Sequence, residues 1–233
     1  MWVGEMLQSA LFWTMVGFAL GSMPFSYWLG RSALRRDIRD FGDGNPGAAN
    51  AWRAGTWRLG IPAVLLDYLK GALPVSLACY RYGISGWSLV PVALAPVLGH
   101  AFSPFLRFRG GKAIASTFGM WTALTLWQGP TVLGVSVGIF SRLQVVDSWT
   151  VMLGMATWLC WLLLRGPPAV GPSGPLPFIA GPSGAPPFVV GPLGPLLGVW
   201  CGNMAILIWK HRQELRRPPA LRPWLRHLLG LDK

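Results

Sequence analysis

Three short stretches of this chain hold the polar residues from which phosphate chemistry is commonly built. The first is GDGNPGAAN, Gly42 to Asn50, followed by Arg53. Gly42, Gly44 and Gly47 permit tight turns, Asn45 and Asn50 add short polar side chains, and a backbone folded in this way can aim several N–H groups at one anion. A plain surface turn uses the same residues. The three glycines also satisfy G-x-G-x-x-G, but a dinucleotide fingerprint needs a buried strand ahead of it, and the polar RRDIRDF precedes it here.

The second stretch is GHAFSPFLRFRGGKAIAS, Gly99 to Ser116. Gly110 and Gly111 lead into Lys112 at the expected start of a helix, where free N–H groups and the positive dipole end favour an anion and the lysine adds a point charge. It departs from a Walker A loop, because Ala113 stands where a magnesium-binding Ser or Thr is required. A basic anchor on the inner side of a membrane is the plainer reading. The third stretch, WKHRQELRRP, begins at Trp209. Its His211, beside basic groups, is suited to donating to a phosphate or moving a proton, though a lone interfacial histidine often does neither. Asp67 and Lys70, three residues apart in LLDYLKG, sit within an apolar run, where charges are costly and this spacing permits them to pair. Such a pair serves a site or simply ties helices together.

The elements that must position these residues are membrane helices. Hydrophobic residues make up 52% of the 233 positions and charged residues only 12%, too apolar a balance for an ordinary water-exposed surface. Seven runs read as spans: Met6–Gly30, Leu59–Tyr80, Ser85–Pro104, Ala113–Gln128, Pro130–Phe140, Ser148–Leu164 and Leu193–Trp209. The turn signal at Gly129–Pro130 separates the fourth from the fifth, and without it the count is six. With the amino terminus outside, seven spans place Arg31–Arg58, Phe105–Lys112, Ser141–Asp147 and everything from Lys210 onward on the cytoplasmic side. Those segments hold seventeen of the twenty Lys and Arg, as the positive-inside rule requires. No cleavable signal peptide is expected, since the first basic residue, Arg31, follows the apolar run rather than preceding it. The expected fold is an all-α polytopic membrane protein of about seven helices, amino terminus outside and carboxyl terminus cytoplasmic. It lies in the inner (plasma) membrane.

Residues 1–215 form the transmembrane unit, with a Pro/Gly-rich external loop at 166–195, and residues 216–233 a basic cytoplasmic tail. The loop repeats GPSG, GPSG and GPLG at Gly171, Gly181 and Gly191 and is assigned no function. In the tail, Trp224, Leu225, Leu228 and Leu229 share a face of a short helix suited to the anionic leaflet, or the tail frays. Cys79, Cys160 and Cys201 show no paired or metal-ligand spacing and say little. The net charge of +12 resides in short juxtamembrane loops, which suits membrane lipids and phosphorylated small molecules better than nucleic acid.

GSMPFSYWLGR, DIRDFGDGNPGAANAWRAG, LLDYLKG, APVLGHAFSPFLRFRGGKAIAS and IWKHRQEL, in this order, resemble the bacterial membrane acyl-phosphate:glycerol-3-phosphate acyltransferases. The resemblance runs from Gly21 to Leu215 outside the Pro/Gly insert. It implies seven spans with an external amino terminus, no metal or cofactor, and transfer of a fatty acyl group from acyl phosphate to glycerol 3-phosphate, giving lysophosphatidic acid for phospholipid synthesis. It also implies that Arg53 and Lys112 are phosphate-binding cations, that His211 is the essential histidine, and that Gly42, Gly44, Asn45, Gly47, Asn50, Gly110 and Gly111 form the phosphate loops. An acyl phosphate is an activated anhydride, so aligning two phosphates and a hydroxyl is the main demand on the protein.

Two departures from the family stand out. Asp43 stands where the family has a serine, and Gln213-Glu214 where it has glutamate and asparagine. Both place negative charge near anionic substrates unless a cation pairs with them, and Asp43 is also a candidate base toward the attacking hydroxyl. They motivate a second reading, a catalytically silent relative that binds lipid phosphates or a partner protein. A transporter rests only on Asp67 and Lys70 and ranks last.

Overall fold

The computed structural model describes residues 3–167, 169–170, 188–189 and 192–231. The helices are α1 (Val3–Leu7), α2 (Ala10–Ser22), α3 (Phe25–Leu34), α4 (Ala48–Ser76), α5 (Leu89–Ala101), α6 (Ile114–Thr125), α7 (Gln128–Leu143), α8 (Asp147–Arg165), α9 (Leu193–His211) and α10 (Pro223–Leu228). Most of the decameric repeat lies outside the described residues; flanking it, Ala169–Val170 pairs antiparallel with Phe188–Val189. Four helical stretches are long and apolar enough to cross a membrane: Ala48–Arg81, Gly86–Leu106, Asp147–Arg165 and Leu193–His211. Leu11, Met15, Ile61, Leu65, Ile139 and Leu164 point outward, as a bilayer-covered surface allows.

Each expected run is helical, with two differences in detail. The first run is interrupted between α2 and α3, because Pro24 lacks an N–H and its ring clashes with the carbonyl four residues back. The Met23 carbonyl at this break accepts a bond of 2.8 Å from Lys70 Nζ. The break between α6 and α7 falls at Leu126, ahead of Gly129–Pro130, with Leu126 at φ 53°. Pro130 then sits in the first turn of α7, where its missing N–H has no intrahelical partner to lose.

Without a hydrophobic drive between helices in lipid, close packing and cross-helix hydrogen bonds hold such a bundle. Helix α4 meets α6 so closely that a Cβ on Gly71 would lie 2.3 Å from the Ser116 carbonyl oxygen, and one on Gly119 2.0 Å from that of Tyr68. Tyr68 donates to Thr122 Oγ1 at 2.8 Å across the same seam. Asn203 on α9 accepts from the Trp121 indole at 3.1 Å and donates to Thr117 Oγ1 at 2.9 Å, so α9 registers on α6 through an amide with partners on both its oxygen and its nitrogen.

Helix α4 itself is broken at Gly55 and Thr56, the latter at φ 57° and ψ −159°. Ala51 clusters with Leu59, Ala63 and Ile38, and the Trp52 ring lies where a Cβ on Gly60 would be, so the first two turns pack against the turns after the break. This short segment carries Asn50 and Arg53 onto the wall of a cavity.

Candidate active site

The cytoplasmic loops converge on Lys112. Its Nζ lies 2.7 Å from Asp43 Oδ2 and hydrogen-bonds Glu214 Oε1, so one cation joins the glycine-rich loop before α4, the loop before α6 and the segment after α9. From Asp43 the bonding continues outward: Asn50 Nδ2 donates to Asp43 Oδ1 and to the Asn45 carbonyl at 2.9 Å each, and Arg53 Nη1 donates to Asn50 Oδ1 at 2.9 Å. From Glu214 it continues to Ser148, whose hydroxyl donates to the second carboxylate oxygen. All the acidic and cationic residues singled out in the loops, Asp43, Arg53, Lys112 and Glu214, fall in this one chain of bonds.

Local sequence explains the loop shapes. Gly42 and Gly44 adopt φ of 57° and 73°, which glycine accepts without strain, and a Cβ on Gly42 would lie 2.3 Å from Arg53 Nη1. Gly47 caps α4, its N–H bonded to Asn45 Oδ1 at 3.0 Å. No strand stands ahead of this loop, only a single helical turn at Ile38–Asp40, so the G-x-G-x-x-G match carries no dinucleotide fold among the described residues.

The Gly110–Gly111 loop drapes over His100. Gly111 N donates to the His100 carbonyl at 3.1 Å, and Lys210 Nζ pins the Ala101 and Gly110 carbonyls at 2.9 and 2.8 Å. A Cβ on Gly111 would come within 2.1 Å of His100 Nε2. The ring is buried and cannot step aside, so Gly111→Ala is expected to displace Lys112 and to cost about 1–3 kcal/mol of stability. Thermal unfolding in detergent checks this; an unchanged melting point would contradict it.

His100 and Ser148 were not singled out in the sequence, and both line or support the site. The histidine lies 3.7 Å from Asp67 Oδ1, which also pairs with Lys70 at 2.8 Å, while Ser26 donates to Asp67 Oδ2 at 2.6 Å. The Asp67–Lys70 pair therefore ties α3, α4 and α5 together beneath the cavity. A histidine within an apolar run ten residues before a Gly-Gly pair was the available signal.

Two cavities meet at Lys112. The larger, about 720 Å³, has Val64, Ile114, Phe118 and Val151 among its walls and is mostly apolar, with Arg53, Asp67, His100 and His211 among its polar lining. The smaller, about 310 Å³, is lined by Arg109, Lys210 and Arg212 together with aromatic Phe102, Phe108 and Trp209. Asp43, Asn45, Lys112 and Glu214 belong to both. His211 is buried, and its Nδ1 is 2.8 Å from the Leu207 carbonyl oxygen. A carbonyl only accepts, so Nδ1 carries the proton and Nε2 is the lone-pair nitrogen of a ring that lines the larger cavity.

Burial works against the charge on Asp43, but the Lys112 hydrogen bond and charge outweigh it and hold the carboxyl below its ordinary value. Glu214 is lowered in the same way, by Lys112 and Ser148 against burial. Burial likewise pulls Lys112 down, and its two carboxylate partners more than offset this, raising it. The lowered carboxylates contribute stability above their unfolded values and lose it as pH falls through the lowered ones. The raised lysine contributes below its unfolded value and loses it as pH rises through the raised one. Between about pH 5 and about pH 9 the three groups therefore keep one protonation state.

The glycerol-3-phosphate acyltransferase family model matches residues 11–219. Glycerol-3-phosphate acyltransferase 1 of Thermotoga maritima is 36% identical over 217 residues, covering 87% of this chain and 94% of its own length. The glycerol-3-phosphate acyltransferase of Desulfovibrio desulfuricans is 35% identical, with 89% and 80% covered. Among solved structures, PlsY (YgiH), an integral membrane glycerol 3-phosphate acyltransferase in its glycerol 3-phosphate form, superposes with a TM-score of 0.71 at 26% identity, covering 95% of this chain and 92% of that one. Its lysophosphatidic acid form gives 0.70. The helical bundle is thus shared architecture, and the chain belongs to the glycerol-3-phosphate acyltransferase family.

Proposed function

We propose that this protein transfers a fatty acyl group from acyl phosphate to glycerol 3-phosphate and releases lysophosphatidic acid and inorganic phosphate. The observation that carries the reading is the meeting of an apolar and a basic cavity at Lys112, with the His211 ring on the same wall. The apolar cavity takes the acyl chain and places the anhydride at Lys112; the basic one admits the water-soluble acceptor, whose phosphate also reaches Lys112, the cation common to both cavities. Seven spans, an external amino terminus and a cytoplasmic carboxyl terminus in the inner (plasma) membrane suit this arrangement. They put the basic loops where glycerol 3-phosphate is found.

His211 Nε2 accepts the proton of the attacking hydroxyl as its oxygen bonds to the acyl carbon. The carbon–oxygen bond to phosphate breaks, and the leaving phosphate is held by Lys112, Arg53 and the glycine loops. The anhydride is already activated, so the residues present suffice without a cofactor. Asp43 is committed on both oxygens, to Asn45 N and Asn50 on one and to Lys112 on the other. We assign it to holding Lys112 in the absence of substrate. An incoming phosphate exchanges with the two carboxylates, which weakens binding without blocking chemistry.

Asp43→Asn keeps the Oδ1 acceptor and removes the charge, so the KM for glycerol 3-phosphate is expected to fall about tenfold with kcat retained. A kcat that instead drops with KM unchanged would make Asp43 the base. The activity itself is tested with detergent-purified protein given palmitoyl phosphate and radiolabelled glycerol 3-phosphate. Lipid-soluble label, formed one for one with inorganic phosphate, is expected. No product from a folded preparation that binds neither substrate would favour the non-catalytic reading that Asp43 and Glu214 suggested.

A further inference from the structure

The family match ends at residue 219, yet the chain continues as an ordered segment. The Val145 N–H donates to the Ala220 carbonyl at 2.9 Å, Ala220 N to Gln144 Oε1 at 2.8 Å, and Arg222 N to the Leu143 carbonyl at 2.9 Å. The Arg222 guanidinium adds bonds to the Ser141 and Gln144 carbonyls at 3.0 and 3.2 Å, and the Trp224 indole one to the Arg142 carbonyl at 3.2 Å. Upstream, the Trp149 indole donates to the Arg217 carbonyl at 2.8 Å. The segment is therefore strapped across the turn between α7 and α8.

What this strap turns outward is unusual for a water-facing tail. Trp224, Leu228, Leu229 and Leu231 are 54, 73, 56 and 53% exposed. Arg216 and Arg217 are exposed in the same segment, as is Arg142 in the last turn of α7. Between Leu215 and Leu231 there is no Asp or Glu. The hydrogen-bonded partners, residues 141–149, include the start of the Asp147–Arg165 span, so the strap lies at the level where that helix enters the membrane.

We infer that residues 216–231 seat on the anionic headgroups of the membrane that the chain spans, with Trp224 and the leucines in the headgroup–acyl boundary and the arginines on lipid phosphates. Apolar side chains that would be costly in water are at the depth where such residues partition, and the arginines match the charge of the surface they meet. The strap also reaches the site: Glu214, two residues before Arg216, bonds both Lys112 and Ser148. Seating it fixes the α8 entrance beside that pair. This inference is independent of the acyl transfer proposed above, because its readout is the position of the strap.

The test uses the full chain with Leu228→Cys, Cys160→Ser and Cys201→Ser, leaving the buried Cys79, and an environment-sensitive fluorophore on position 228. A second chain carries the label at Leu229→Cys. Both are reconstituted in nanodiscs of phosphatidylcholine alone or of equal parts phosphatidylcholine and phosphatidylglycerol. The inference expects blue-shifted, brighter emission from both labels in the anionic discs, partly reversed by salt. Arg216→Gln and Arg217→Gln are each expected to lower the ratio of inserted to water-exposed label by roughly fivefold. Emission typical of water in both lipid compositions overturns it, as does a shift that appears only when soluble protein is added.

Discussion

Lys112→Met is expected to lower acyl transfer by roughly 10³-fold, the scale of losing a preorganised charge at a transition state. The loss has two parts that can be separated. Lys112 is the point where both cavities meet, so its removal takes away the cation that orients the anhydride. It also leaves Asp43 and Glu214 facing each other without the ammonium that both of them bond, and like charges so placed repel each other and the incoming phosphate. Adding Asp43→Asn and Glu214→Gln to Lys112→Met is therefore expected to restore the melting temperature and leave activity near the floor. Recovery of activity in the triple variant would show that the lysine serves only to neutralise its neighbours.

His211→Ala is expected to cost about 10²- to 10⁴-fold in kcat with little change in KM, the range for losing a positioned proton acceptor. The Nδ1 bond to the Leu207 carbonyl fixes the tautomer, so His211→Gln, which cannot supply an imidazole lone pair in that geometry, is expected to be no better. The pH profile gives a sharper check. Because the Asp43–Lys112–Glu214 cluster keeps one protonation state between about pH 5 and about pH 9, it adds no limb there, and beyond the ionisation of the substrate phosphates themselves the ascending limb should be lost in His211→Ala. An unchanged ascending limb in the variant would take the proton-accepting role away from His211.

Much of this site was legible before any coordinates because its residues lie in local motifs. The positive φ at Gly42 and Gly44 and the placement of Lys112 just before α6 follow from short-range turn and cap chemistry. The Asp67–Lys70 pairing follows from helical spacing. What was not legible depends on which loops meet. Nothing in the spacing of residues 43, 112 and 214 says that both carboxylates bond the same ammonium, an arrangement that comes from α4, α6 and α9 ending side by side. Apolar periodicity likewise outlined the helices but hid their breaks. Met23–Pro24 and Leu126 sit inside hydrophobic runs, and the cost of breaking there is met by tertiary partners such as Lys70 at the Met23 carbonyl. His100 looked like one more residue of a span because its role is to lie under Gly111, a contact visible only once the loop is folded.

The central claim is that substrate phosphate takes the place of Asp43 and Glu214 on Lys112, and a crystal structure of the protein with glycerol 3-phosphate tests it most directly. The account predicts phosphate oxygens within hydrogen-bond distance of Lys112 Nζ, both carboxylates turned away from it, and the acceptor hydroxyl directed at His211 Nε2. Phosphate bound instead among Arg109, Lys210 and Arg212 with the Asp43–Lys112–Glu214 cluster intact would contradict it.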